Sequence, residues 1–181
     1  MNEKTNPLQS LFFTIDSKQV FSERVFKEKT MAELKEGDKA PAFTAKDQHG
    51  KKVSLKDFKG RKLVLYFYPK DDTPGCTAEA CSFRDHYDEL RAKGYEIVGV
   101  SPQGEASHKK FADKYSLPFA LLQDEDHRLA ESYGAWGEKV LYGKKYEGMH
   151  RITYLIDEKG VIERIIRKVD TKKAAEQILN M

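Results

Sequence analysis

Cysteine is scarce in this chain: there are 2 in 181 residues, Cys76 and Cys81. That scarcity excludes the disulfide-dense scaffold of a small secreted domain. Long apolar runs are missing too, and no stretch approaches the roughly 20 residues of a membrane span. Neither sign of charge dominates. With 32 basic and 29 acidic residues the net charge is +3, too small and too evenly spread for a nucleic-acid or membrane footprint. Lys51-Lys52 and Lys172-Lys173 read as solvated faces. The histidines, His49, His86, His108, His127 and His150, show no metal spacing such as H-E-x-x-H. They read as surface or partly buried structural residues. A zinc site at the cysteines would need two further ligands, and only His86 is close in sequence. No serine sits in a G-x-S-x-G elbow, and Gly134, Gly137 and Gly143 make no G-x-G-x-x-G phosphate loop. Asp71-Asp72 and Asp124-Glu125-Asp126 read as solvated carboxylates in turns.

What is present is an ordinary core-forming composition, 39% hydrophobic and 34% charged, at a length that predicts one domain. Lys62 to Tyr68 is a nearly continuous apolar run, the mark of a strand covered on both faces. A helix is expected from about Cys76 to Lys93, stopped by Gly94. Tyr95 to Val100 reads as a second buried strand, Glu105 to Tyr115 as a helix, Phe119 to Leu122 as a short strand, and Asp126 to Tyr133 as a short helix. Arg151 to Ile156, the turn Asp157-Glu158-Lys159-Gly160, and Val161 to Val169 read as strand, turn and strand. Thr171 is expected to cap a last helix running to Leu179. Near the start, Phe43-Thr44-Ala45 and Lys51 to Ser54 flank a hairpin turn at Asp47-Gln48-His49-Gly50. Strands alternating with helices, followed by a hairpin, predict an α/β fold with a mixed central sheet flanked by helices.

Residues 1–33 stand apart as an N-terminal extension, readable as an arm, a leader or a disordered segment, before a domain at 34–181. The apolar patch Leu8, Leu11, Phe12 and Phe13 is followed at once by Asp16. No basic region leads into an unbroken apolar stretch, so no signal peptide is expected, and a cytoplasmic location is. An arm docked through Phe12, Phe13 and Phe21 is one reading and disorder the other.

The two cysteines fall where a strand ends, a Pro/Gly turn reverses the chain and a helix begins. Unpaired backbone N–H groups and the helix dipole favour a thiolate there. Their spacing is informative. On one regular helix, five residues rise roughly 7.5 Å and rotate about 500°, so the side chains point roughly 140° apart. The Cα atoms then stand roughly 8.7 Å apart, beyond the limit of about 7 Å for a disulfide. Either the thiols never pair, or the first turns of the helix unwind when they do. C-x4-C is not the C-x-x-C of disulfide-exchange enzymes. From spacing alone, two inert buried thiols are the commoner reading.

The surrounding residues change that weighting. Pro69, Thr73 and Cys76 form P-x-x-x-T-x-x-C, which resembles the peroxidatic motif of peroxiredoxins. The words Tyr66-Phe67-Tyr68-Pro69-Lys70, Thr73-Pro74-Gly75-Cys76-Thr77, Glu79-Ala80-Cys81 and Phe83-Arg84-Asp85 resemble the bacterioferritin-comigratory-protein, or PrxQ, branch of that family. So do Asp124 to His127, Tyr133 to Lys139, and Gly148 to Ile152. The likeness runs from about Leu34 to the C-terminus. It implies a thioredoxin-like fold with peroxiredoxin insertions. It also implies a thiol-dependent peroxidase acting on hydrogen peroxide and organic hydroperoxides, in antioxidant defence.

In that resemblance Cys76 is the peroxidatic and Cys81 the resolving cysteine, and the pair ends as an intramolecular disulfide that thioredoxin or a similar dithiol reduces. Thr73 corresponds to the threonine that bonds thiolate and peroxide, Pro69 to the proline that shields the thiolate, and Arg151 to the arginine facing the sulfur. The N–H groups of Gly75 and Cys76 would steady the oxygen that gathers charge. No cofactor or metal is implied, because sulfur carries the electrons. A monomer is expected, a dimer being the alternative. Glu79 reads only as an acidic residue suited to a first helical turn. Two competing readings use the same residues: a thiol-switch sensor or chaperone-like module, and a structural domain with buried thiols.

Overall fold

The computed structural model describes residues 33–181. The expectations for the N-terminal extension, including docking through Phe12, Phe13 and Phe21, fall outside the described residues. Five strands form the central sheet: β3 (Lys62–Phe67), β4 (Tyr95–Ser101), β5 (Ala120–Gln123), β8 (Ile152–Ile156) and β9 (Ile162–Ile166), in the order β5-β4-β3-β8-β9. β3 pairs in parallel with β4, and β4 with β5. β8 is antiparallel to both β3 and β9, so the sheet is mixed. A short hairpin, β1 (Thr44–Lys46) and β2 (Lys52–Ser54), precedes it.

Alternation along β3 divides the core. Val64, Tyr66 and Tyr68 point to one face and Leu63, Leu65 and Phe67 to the other, each of them fully buried. The first face is covered by α1 (Pro74–Asp85), α2 (Tyr87–Ala92), α3 (Glu105–Tyr115) and α5 (Ala174–Leu179), which contribute Phe83, Leu90, Phe111 and Ile178. The second face carries α4 (Arg128–Ser132) and the β1–β2 hairpin, through Leu129, Ala130, Phe43 and Val53. Gly99 lets the large Tyr66 ring lie on the first face. A Cβ at that position would come within 2.7 Å of Tyr66 Cζ and 2.8 Å of Leu121 Cδ2.

Several sequence expectations need correction. The helix expected from Cys76 to Lys93 starts at Pro74 and breaks at His86, whose φ of −109° and ψ of 20° leave the helical region. Its ring Nδ1 lies 3.0 Å from the Ser82 carbonyl. Gly94, at φ 85°, ends the second piece. Thr171 does not cap the last helix, which begins at Ala174 after Lys173. A second hairpin, β6 (Trp136–Leu141) and β7 (Lys144–Met149), stands where no strands were expected. It turns on Tyr142 and Gly143, both at positive φ (49° and 76°), as a two-residue type I′ loop requires. Asp71 and Asp124 are not solvated turn residues, at 6% and 4% exposure, and His108 has none.

Candidate active site

The site is assembled at the junction of β3, α1 and β8. Pro69, half-buried, opens the loop after β3. Thr73 is the N-cap of α1, extended at φ −96° and ψ 151°, as a residue before proline prefers. Pro74 follows at the first helical position, where its missing N–H costs nothing. Gly75 and Cys76 therefore occupy the second and third positions. No carbonyl lies four residues back within the helix for their N–H groups, and the first α-type bond runs from Thr77 N to Thr73 O at 2.8 Å. The Thr73 side chain does not cap the helix. Its hydroxyl donates to the Lys70 carbonyl at 3.2 Å, which leaves its lone pairs for an incoming donor.

Cys76, Glu79, Ala80 and Phe83 share the buried face of α1, the i, i+3, i+4, i+7 pattern of a helix packed on a sheet. Cys81 falls off that face and is only half-buried, and both thiols are free. Both cysteines thus lie on one continuous helix, the arrangement in which their side chains diverge and cannot bond.

Arg151 immediately precedes β8 and reaches the same spot. Its Nη2 donates to Cys76 Sγ at 3.1 Å, and its Nη1 pairs with Glu79 Oε2. Gly75 leaves room beside the guanidinium; a Cβ there would sit 3.6 Å from Nη2. Burial opposes the charge on Arg151, yet Glu79 and the Cys76 sulfur together push its pKa up. Glu79 is fully buried. Burial lifts its pKa to about 7 despite the pull of Arg151, and its Oε1 has no partner among the described residues. The reading of Glu79 as an acidic residue suited to a first helical turn is corrected: α1 starts at Pro74, so Glu79 lies in its second turn, and it is buried against Arg151. The available signal was its position three residues after Cys76, which puts both on one helix face.

Cys76 itself is 2% exposed, and Thr73 and Gly75 near it in sequence are half-buried. A surface cleft of about 540 Å³ lined by Phe43, Lys46, Asp124 and Leu129 includes neither Cys76 nor Arg151. Chemistry marks this site, not cavity size. A sulfur at a helix N-terminus, facing a guanidinium, is arranged to act as a nucleophile. No grouping of three or more His, Cys, Asp or Glu among the described residues could hold a metal ion.

Comparison with known proteins identifies the family of the chain. Residues 36–165 match the AhpC/TSA family. Peroxiredoxin Bcp of Escherichia coli is 46% identical over 150 residues, covering 83% of this chain and 96% of the relative. Peroxiredoxin Bcp of Bacillus subtilis is 47% identical over 143 residues, covering 79% and 91%. Among solved structures, a cysteine-to-serine mutant of Xylella fastidiosa PrxQ superposes with a TM-score of 0.77 at 29% identity, covering 82% of this chain and 95% of that one. Xanthomonas campestris bacterioferritin comigratory protein, solved in work on its alkyl peroxide reduction, gives 0.72 at 34% identity, covering 76% and 88%. The central sheet with its covering helices is the thioredoxin-like α/β fold these structures share. The chain belongs to the AhpC/TSA family and is a thiol-dependent peroxidase, an oxidoreductase of the Bcp/PrxQ branch of the peroxiredoxins.

Proposed function

We propose that the Cys76 thiolate attacks one oxygen of hydrogen peroxide or an organic hydroperoxide. An S–O bond forms and the O–O bond breaks. The departing oxygen takes a proton and leaves as water or an alcohol, and Cys76 becomes a sulfenic acid. The first turns of α1 then unwind. The Cys81 sulfur attacks Cys76, water leaves, and an intramolecular disulfide remains. Thioredoxin or a similar dithiol returns both sulfurs to thiols and is itself oxidised.

The observation that carries this reading is the 3.1 Å contact from Arg151 Nη2 to Cys76 Sγ at the start of α1. A guanidinium stays charged, so it faces the sulfur as a fixed positive donor and steadies the negative oxygen as the O–O bond breaks. The Gly75 and Cys76 N–H groups add fixed donors. Thr73 offers a hydroxyl that both gives and accepts, and Pro69 limits water at the mouth of the site. Glu79 acts through Arg151, holding its second nitrogen so that the first points at sulfur. Cytoplasmic action belongs to the same proposal, since that is where dithiol reductants keep thiols reduced.

The test follows NADPH consumption with thioredoxin and thioredoxin reductase across several hydroperoxides. Turnover far beyond one equivalent of peroxide per chain, abolished in Cys76→Ser, is the expected result. Consumption that stops at one equivalent would instead fit a thiol switch, and full activity in Cys76→Ser would remove Cys76 from the mechanism.

A further inference from the structure

Behind the loop that leads to Cys76 lies a buried polar cluster that no step above uses. Asp71, 6% exposed, sits between β3 and α1, and His108, fully buried, comes from α3. His108 Nδ1 faces both Asp71 oxygens, at 3.1 Å from Oδ1 and 2.9 Å from Oδ2. Its Nε2 faces the Leu122 carbonyl of β5 at 3.1 Å. Both ring nitrogens thus meet acceptors. A neutral imidazole carries one N–H, so only the doubly protonated ring satisfies both contacts. The other groups around Asp71 are donors: Tyr68 Oη, just past the end of β3, at 2.7 Å and Ser107 Oγ from α3 at 2.6 Å. Gln103 Oε1 lies 3.5 Å from the same Ser107 oxygen. Burial opposes charge on Asp71, but the bonds from His108, Ser107 and Tyr68 outweigh it and keep its carboxyl below the usual range.

The next residue is tied to the same helix. Asp72 stands at φ 54°, a conformation costly for a residue with a side chain. Its carboxylate accepts from Lys114 Nζ at 2.8 and 2.7 Å and from Tyr115 Oη at 2.6 Å. On the far side of the cysteines a second set of ties appears. Ala175 N of α5 donates to Ser82 Oγ at 3.1 Å. Arg84 Nη1 donates to the Tyr115 carbonyl, the last residue of α3, at 2.8 Å. Residues 73–81, which hold both cysteines, lie between the two sets.

We propose that Asp71 and His108 form a buried ion pair that positions the reaction: it pins the β3–α1 loop to α3 and sets the boundary beyond which α1 can unwind. With the loop pinned, Thr73 and Cys76 start from a fixed attack geometry. When the helix opens, Asp71–Asp72 and Ser82–Arg84 stay in place and the segment between them moves. The assignment deepens the reading in which Cys76 and Cys81 carry the peroxidase cycle, and rests on it.

Two steps have to be separated in the test. The full-length protein, Asp71→Asn, His108→Gln and the double variant are reduced and mixed with hydrogen peroxide. Rapid quenching, thiol alkylation and mass spectrometry then give the rate of Cys76 oxidation and the rate of Cys76–Cys81 disulfide formation. Loss of the pin is expected to slow Cys76 oxidation roughly tenfold, because reacting groups drift from alignment. The double variant should match the single ones, and disulfide formation should be at least as fast as in the parent protein. Unchanged oxidation rates, or both steps slowing in parallel, would overturn the proposal. If the variants do not fold, the unaltered protein decides. In long-range ¹H–¹⁵N spectra near neutral pH both His108 nitrogens should appear protonated, and one bare nitrogen would overturn the ion pair. That spectrum needs no peroxide chemistry, so it stands even if the parent protein fails to react.

Discussion

At the scale of single residues the proposed chemistry rests on Arg151, which divides one guanidinium between a sulfur and a buried carboxylate. A lysine has neither the fork nor the reach to serve both. Arg151→Lys should therefore lower the rate of Cys76 oxidation by hydrogen peroxide about tenfold or more, since arginine and lysine are not equivalent at a two-partner site. A stopped-flow rate equal to that of the parent would show that the fork is unnecessary.

Glu79 gives a pH signature. Its carboxyl titrates near 4.5 when unfolded and at about 7 in the folded protein, because it is buried. Between those values the folded protein keeps a proton that the unfolded chain has released, so stability falls as pH rises across the window. The effect is on the order of 3 kcal/mol. Glu79→Gln removes that titration, so urea unfolding should show a flatter pH dependence from 4.5 to 7 in the variant. Parallel curves would contradict the assignment. In the sequence, Cys76, Cys81 and the turn motif were legible because their spacing and neighbours are short-range. Glu79, Asp71 and His108 were not. Each looks like an ordinary surface residue until a group distant in sequence meets it: Arg151 for Glu79, α3 for Asp71, and Asp71 with the Leu122 carbonyl for His108.

Among elements, α1 has two tasks that conflict. As a helix it holds Cys76 at its N-terminus, and as the same helix it keeps Cys81 out of reach. Only a segment of modest stability can do both. Cys81→Ser should leave one round of Cys76 oxidation intact and abolish the intramolecular disulfide, read as a single sulfenic acid by trapping and mass spectrometry. A disulfide persisting in that variant could only be intermolecular. The sheet beneath is built for rigidity instead. Gly99→Ala should cost about 1–3 kcal/mol by overpacking against Tyr66, measured by denaturant unfolding, and a change near zero would mean the Tyr66 ring yields freely.

The buried strands were legible at this scale from their apolar runs, as β3 shows. The β6–β7 hairpin was not. Lys139, Glu138 and Glu147 give no clean period of two, and Tyr142 at φ 49° is an unusual residue for its turn. The break at His86 was equally hidden, because the apolar pattern of Phe83, Tyr87 and Leu90 runs straight through it.

At the scale of the whole domain, residues 33–181, the five-stranded sheet between two apolar layers supplies a firm floor, and the site sits at the edge where β3 gives way to α1. The alternation of strands and helices made that architecture readable from the sequence, since each layer needs its own periodicity. The near balance of 32 basic and 29 acidic residues bears on kinetics. Hydrogen peroxide is neutral, so a charge field has little hold on its approach. Its rate constant should change by less than about twofold between low and near-physiological salt, and a steep salt dependence would point to charge steering absent from this account.

The claim on which the rest depends is that the two sulfurs join only when α1 opens. Hydrogen exchange and disulfide mapping on one sample, before and after a single equivalent of hydrogen peroxide, test it directly. The account predicts a Cys76–Cys81 disulfide together with loss of amide protection across residues 74–81 and retained protection in β3 and β4. A disulfide formed while those amides stay protected, or oxidation of Cys76 with no disulfide at all, would contradict it.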